Sequence, residues 1–169
     1  MPKTLRTIVD SDHGADRLTR RSTTGMVQRL GMHTIKTTSN LQTPLGLNVS
    51  EAEFYALVHG ACHALGIQSY LRDLGINVDI TTESDSNAAK AFASRQGLGK
   101  QRHAQTRYLW IQHQVAVGAI TILKIKTDHN ISDILTKVTP NATILKHMTT
   151  MGYRNEANLS KLHNNLQLG

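Results

Sequence analysis

The chain has 169 residues, enough for one domain with its own core and no covalent staples. With 39% hydrophobic and 18% charged residues it has the composition of a soluble globular protein, and no apolar run approaches the roughly 18 residues of a membrane span, which excludes a helical membrane protein. The net charge of +7 points to an anionic partner, nucleic acid foremost, and Cys62, the one cysteine, excludes an internal disulfide.

In chain order, "TLRTIVDSD", "TTGMVQRL" and "MHTIKTTS" carry the β-branched richness of three strands, a run that implies an antiparallel opening. "TSNLQTPLGLN", with Pro44 and Gly46, reads as a loop. Ser50 then begins a long helix, with Phe54, Leu57, Val58, Ala61 and Leu65 at helical spacing, that reaches Leu74 before Gly75. "INVDITTE" makes a fourth strand and "SNAAKAFA" a short helix, for which Ser84 or Asp85 could serve as cap. After the loop "QGLGKQ" come the helix "HAQTRYLWIQHQVAV", ended by Gly118, and a fifth strand, "AITILKIKT". "NISDILTK" is expected to start a helix that Pro140 breaks, "NATILKHMTTM" to resume an amphipathic one, and the last dozen residues to be loosely ordered. The resulting order, βββαβααβα, predicts an α/β fold with a five-stranded mixed sheet flanked by helices.

Four carboxylates occupy comparable places in this plan: Asp10 in the first strand, Glu53 in the first turn of the long helix, Asp85 after the fourth strand and Asp133 after the fifth. Each has a local reading: Glu53 would complete an S-x-x-E capping box with Ser50, and Asp133 would favour a helix N-terminus. Asp10 differs, because it interrupts the apolar pattern of a core strand and a carboxylate there needs a partner. Converging carboxylates repel unless a cation lies among them, and oxygen-only ligation suits Mg²⁺ or Mn²⁺ rather than zinc. Two such ions about 4 Å apart would serve an in-line displacement at phosphorus.

The blocks "VDSDHGADRLTRRSTTGMVQRLG", "LNVSEAEFYALVHGA", "ITTESDSNAAKAFA", "KQRHAQTRYLWIQ" and "NISDILTK" closely resemble, in order and spacing, the ribonuclease H domain that ends the Pol polyproteins of copia-type LTR retrotransposons. The likeness runs from about Asp10 to Lys137. It implies a ribonuclease H-like fold over residues 1–137, with 138–169 a C-terminal helix and tail. It also implies a two-metal endoribonuclease, using Mg²⁺ or Mn²⁺, that cleaves the RNA strand of RNA–DNA hybrids beside an upstream reverse transcriptase. By position the likeness makes Asp10, Glu53, Asp85 and Asp133 the catalytic, metal-holding residues, and selects Glu53 over Glu51 as the glutamate directly before the aromatic residue. His13 stands where the family has Trp, and Gly14-Ala15 inverts its A-G. A degenerate Pol fragment that binds nucleic acid with weak or no catalysis is the alternative, and a strand-transferring nuclease of the integrase class a more distant one.

Arg95, Lys100, Arg102, His103 and Arg107 form the densest basic segment, either a solvated face or a strip that tracks duplex phosphates. His59, Cys62 and His63, at i, i+3 and i+4, could present a metal face but lack a fourth ligand. His129 precedes Asp133 in a loop where a mobile imidazole could assist proton transfer or product release. "MPKTLRTIVDSDHGAD" lacks an apolar leader core, so an intracellular location is expected, in cytoplasm, virus-like particle or nucleus; with no reverse transcriptase or integrase sequence upstream, a Pol fragment or truncated gene product is expected.

Overall fold

The computed structural model describes residues 2–97 and 108–153. Five strands form one sheet in the order β3-β2-β1-β4-β5. β1 (Thr4–Ser11), β2 (Thr23–Leu30) and β3 (His33–Leu41) make an antiparallel meander, whereas β4 (Asp79–Ser84) and β5 (Thr121–Lys124) run parallel to β1. β1 therefore lies at the centre, and its residues 7–11 are all buried. The mixed sheet and the element order match those expected from the hydrophobic pattern.

Helix α1 (Val49–Asp73) crosses one face of the sheet. Its close approach has a local cause: a Cβ at Gly60 would come within 2.6 Å of a Val9 methyl and 3.0 Å of the Thr7 methyl, so only glycine lets the helix lie this near β1. Phe54, Leu57, Ala61 and Ala64 of α1 pack there with Leu5, Val9, Met26, Ile80, Phe92, Ile111 and Ile120. Each large apolar side chain so buried contributes about 1.5–3 kcal/mol. Two short helices, α2 (Asn87–Ala93) and α3 (Trp110–Ala116), close the far end of this core. The opposite face carries a smaller cluster of Ile8, Val27, Ile131 and Met151, against which Met148 of α4 (Asn141–Thr150) is packed. Among the described residues no helix is long and apolar enough to cross a membrane.

Three local expectations are corrected. The N-cap of α1 is Asn48, whose side chain accepts from the Glu51 amide, while Glu51 in turn accepts from the Leu47 amide at 2.9 Å. The helix start is thus held by Asn48 and by Glu51, which reaches back to residue 47 instead of closing a capping box on Asn48, and Glu53 takes no part in it. The cap of α2 is Ser86, which accepts from the Ala89 amide, so neither Ser84 nor Asp85 fills that role. "NISDILTK" forms a single 3-10 turn, Asp133–Leu135, instead of starting a helix. The Asn130 side chain accepts from the Ser132 amide and hydroxyl and donates to the Val9 carbonyl, and the Thr136 hydroxyl donates to the Asp133 carbonyl. Such side-chain bonds satisfy the backbone locally and compete with helix propagation.

Candidate active site

Asp10 is the penultimate residue of β1 and has no solvent exposure. Its partner across β2 is Gly25, and that pairing builds the site. A Cβ at Gly25 would lie 2.8 Å from the Ser132 carbonyl, 2.8 Å from the Thr136 methyl and 2.9 Å from the Leu135 Cβ. With hydrogen in its place, the turn after β5 lies directly on β2 and brings Asp133, Thr136 and Lys137 beside Asp10. Asp85 arrives from the end of β4, the strand paired in parallel with β1. Carboxylate oxygens of Asp10, Asp85 and Asp133 lie within 4.8 Å of one another, and among the described residues no other set of three His, Cys, Asp or Glu side chains gathers so closely.

Glu53, in the first turns of α1, is 6% exposed, with Oε2 buried and without a hydrogen-bond partner. Burial, reinforced by the charges of Asp10 and Asp85, pushes its carboxyl up to about 8. Burial likewise pushes Asp10 up to about 6; Asp133 raises it further, while the Thr136 hydroxyl and Lys137 work against the rise. Thr136 shares its hydroxyl proton between Asp10 and, at 3.2 Å, the Asp133 carbonyl, and Thr127 donates to Asp85 at 2.8 Å. Lys137 sets its ammonium 3.1 Å and 3.2 Å from the two Asp10 oxygens and 3.4 Å from Asp133. Lys137, Thr136 and Gly25 were not singled out by sequence reasoning. The signals were an acid and a lysine at i, i+4 in "DILTK" and a glycine inside a strand.

The donor set consists of hard carboxylate oxygens around a buried acceptor with no donor, the chemistry that suits a divalent cation of the Mg²⁺ type. Glu83, two residues before Asp85, is not available to it, being held bidentately by Arg6 at 2.7 Å and 2.8 Å. His59 and His63 meet edge to face with ring centroids 4.6 Å apart, but the Lys36 ammonium lies 3.0 Å from Nδ1 of His63 and disfavours a second cation there. Cys62, on the same helix, is a free, exposed thiol. His129 is exposed at the end of a 3-10 turn, Thr127–His129, the segment that Thr127 ties to Asp85. Of the basic segment, Arg95 lies over the Phe92 ring at 4.5 Å, and Lys100, Arg102, His103 and Arg107 lie outside the described residues, as does the tail from 154 onward.

A five-stranded mixed sheet in this order, with acidic groups at the strand ends beside a long helix, defines a ribonuclease H-like domain. Solved structures agree: the LC11 RNase H1 isolated from compost superposes with a TM-score of 0.54 at 18% identity, covering 86% of this chain and 99% of that one. The RNase H1 of the halophilic archaeon Halobacterium salinarum gives 0.52 at 18% identity, covering 79% and 94%. The chain is also similar to transposon Pol polyproteins: the retrovirus-related Pol polyprotein from transposon TNT 1-94 of Nicotiana tabacum is 29% identical over 138 residues, 80% of this chain. That from transposon RE1 of Arabidopsis thaliana is 26% identical over 136 residues. The chain spans 10% and 9% of the lengths of these two relatives. No family model matches the chain.

Proposed function

We propose that the chain is the ribonuclease H domain of a copia-type Pol polyprotein and cleaves the RNA strand of RNA–DNA hybrids by metal-dependent hydrolysis. The observation that carries this reading is the approach of Asp10, Asp85 and Asp133 to within 4.8 Å from three separate elements; Glu53 lies outside that group of three but is buried near enough to feel the charges of Asp10 and Asp85. Asp10, Glu53, Asp85 and Asp133 would hold two ions, Mg²⁺ or Mn²⁺. Ions bound there supply a nucleophilic water at neutral pH and stabilise the leaving oxygen.

The protein's own part is positional. Thr136 and Thr127 fix the orientation of Asp10 and Asp85 by donating to them, and burial keeps competing water away from Asp10. Arg95 and the basic residues Lys100, Arg102, His103 and Arg107 would track duplex phosphates, and the 2′-hydroxyl would distinguish the strand to be cut. Work beside a reverse transcriptase inside the cell fits the same reading.

A second reading has one observation in its favour: the Lys137 ammonium is paired with both Asp10 and Asp133, so a residue of the chain itself offsets part of their charge. Purified protein on a labelled hybrid separates the two. The nuclease reading expects Mg²⁺-dependent RNA fragments ending in 3′-hydroxyls, lost in Asp10→Asn. Tight hybrid binding with no cleavage at any Mg²⁺ or Mn²⁺ concentration would establish the binding module instead.

A further inference from the structure

We propose that Lys137 is the built-in counter-ion of the carboxylate site, and that a divalent ion binds there by displacing its ammonium group. The inference rests on the site's being a metal site, as above, and adds what the chain does before an ion arrives.

The ammonium faces both oxygens of Asp10, at 3.2 Å and 3.1 Å, and reaches Asp133 at 3.4 Å. Mg²⁺ requires oxygens at about 2.0–2.1 Å in near-octahedral arrangement. Drawing the same Asp10 and Asp133 oxygens to that distance would leave two cations facing each other across a few ångströms at a half-buried site, where solvent only partly screens their repulsion. One of them must leave. Arg6, the other cation paired with an acid in the described sheet, is held by Glu83 and cannot substitute for Lys137. The Lys137 side chain is 42% exposed and ends a flexible four-carbon stem, so it can swing into solvent at small cost. Asp10 loses little when it goes, because the Thr136 hydroxyl remains bonded to it. In the absence of an ion Lys137 thus keeps the mutually repelling carboxylates assembled, and the apparent affinity for the ion is set by competition with this side chain.

Acetylation of the folded protein, quantified at each lysine by mass spectrometry, reads the displacement directly. Lys137 should react slowly without metal and severalfold faster with saturating Mg²⁺, while the exposed Lys124 serves as an unchanged reference. Calorimetric Mg²⁺ titrations add a second readout. Lys137→Met should tighten binding about tenfold, the order expected on removing a like charge at short range. Lys137→Arg should weaken it relative to wild type, because a guanidinium grips a carboxylate bidentately and is harder to expel. If Mg²⁺ binds while Lys137 stays protected, and the Arg variant binds as the wild type does, the displacement idea is wrong although the metal site stands. If Mg²⁺ binds Lys137→Met but not wild type, the ammonium blocks the site instead of yielding it, and displacement is refuted. Failure of both proteins to bind would remove the metal site and the inference together.

Discussion

Glu51 and Glu53 stand two residues apart on α1 and do opposite work. Glu51 is 2% exposed and its carboxylate accepts from the Leu47 amide and the Tyr55 hydroxyl, so it seals the helix start. Glu51→Ala should cost about 1–3 kcal/mol in urea unfolding, the penalty for leaving buried donors without acceptors, while the Mg²⁺-dependent rise in melting temperature persists. Sequence spacing alone left the two glutamates open, since N-x-x-E from Asn48 and S-x-x-E from Ser50 overlap and Asn caps as well as Ser. Likeness to a family pattern selected Glu53; the structure adds that Glu53 is buried near enough to Asp10 and Asp85 to feel their charges. Burial raises the Glu53 carboxyl to about 8 from an ordinary 4.5, so the folded state holds this proton more tightly than the unfolded chain does. The stability it contributes is fully present below pH 4.5 and is lost as pH rises to 8. In EDTA, Glu53→Gln should therefore match wild type near pH 4 and exceed it by a few kcal/mol near pH 8. A difference that does not change with pH would mean that Glu53 is solvated.

At the level of elements, the strands were legible from their β-branched runs and the long helix from the helical spacing of Phe54, Leu57, Val58, Ala61 and Leu65. The turn carrying Asp133 was not. Its apolar residues at 131, 134 and 135 fit a helix, and only the hydrogen bonds of Asn130, Ser132 and Thr136 reveal why the chain closes a 3-10 turn instead. Nor does periodicity disclose what lies over Gly25. Valine there would suit a β-strand by propensity, yet its Cβ would collide with the Ser132 carbonyl and Leu135. Gly25→Val should leave far-UV circular dichroism nearly unchanged, cost about 1–3 kcal/mol through overpacking, and abolish Mg²⁺-induced stabilisation by lifting Asp133 and Lys137 off Asp10. Retention of the full Mg²⁺ response would show that the turn need not rest on β2.

For the whole molecule, the site's carboxylates set the fold's stability against its function. β1 lies at the centre of the sheet and carries, one residue before its end, a fully buried Asp10, whose carboxyl is raised to about 6 from 3.8, chiefly by burial. A raised value means that ionised Asp10 destabilises the native state; its contribution is intact below pH 3.8 and lost as pH passes through 6. Asp10→Asn keeps the shape and can still accept from Thr136, but it gives up the Lys137 pair and carries no charge. Without metal it should melt above wild type at pH 8 and lose that advantage toward pH 4. Mg²⁺ that binds only native protein stabilises by mass action, so wild type should gain melting temperature with Mg²⁺ concentration and overtake the mutant. Asp10→Asn should show a blunted response and no hybrid cleavage, a more stable but inactive protein, as expected when stability is given up to keep charges at a working site. Were Asp10→Asn to keep the wild-type Mg²⁺ shift, the four carboxylates would not act as one site. The ribonuclease H fold would then hold without its chemistry.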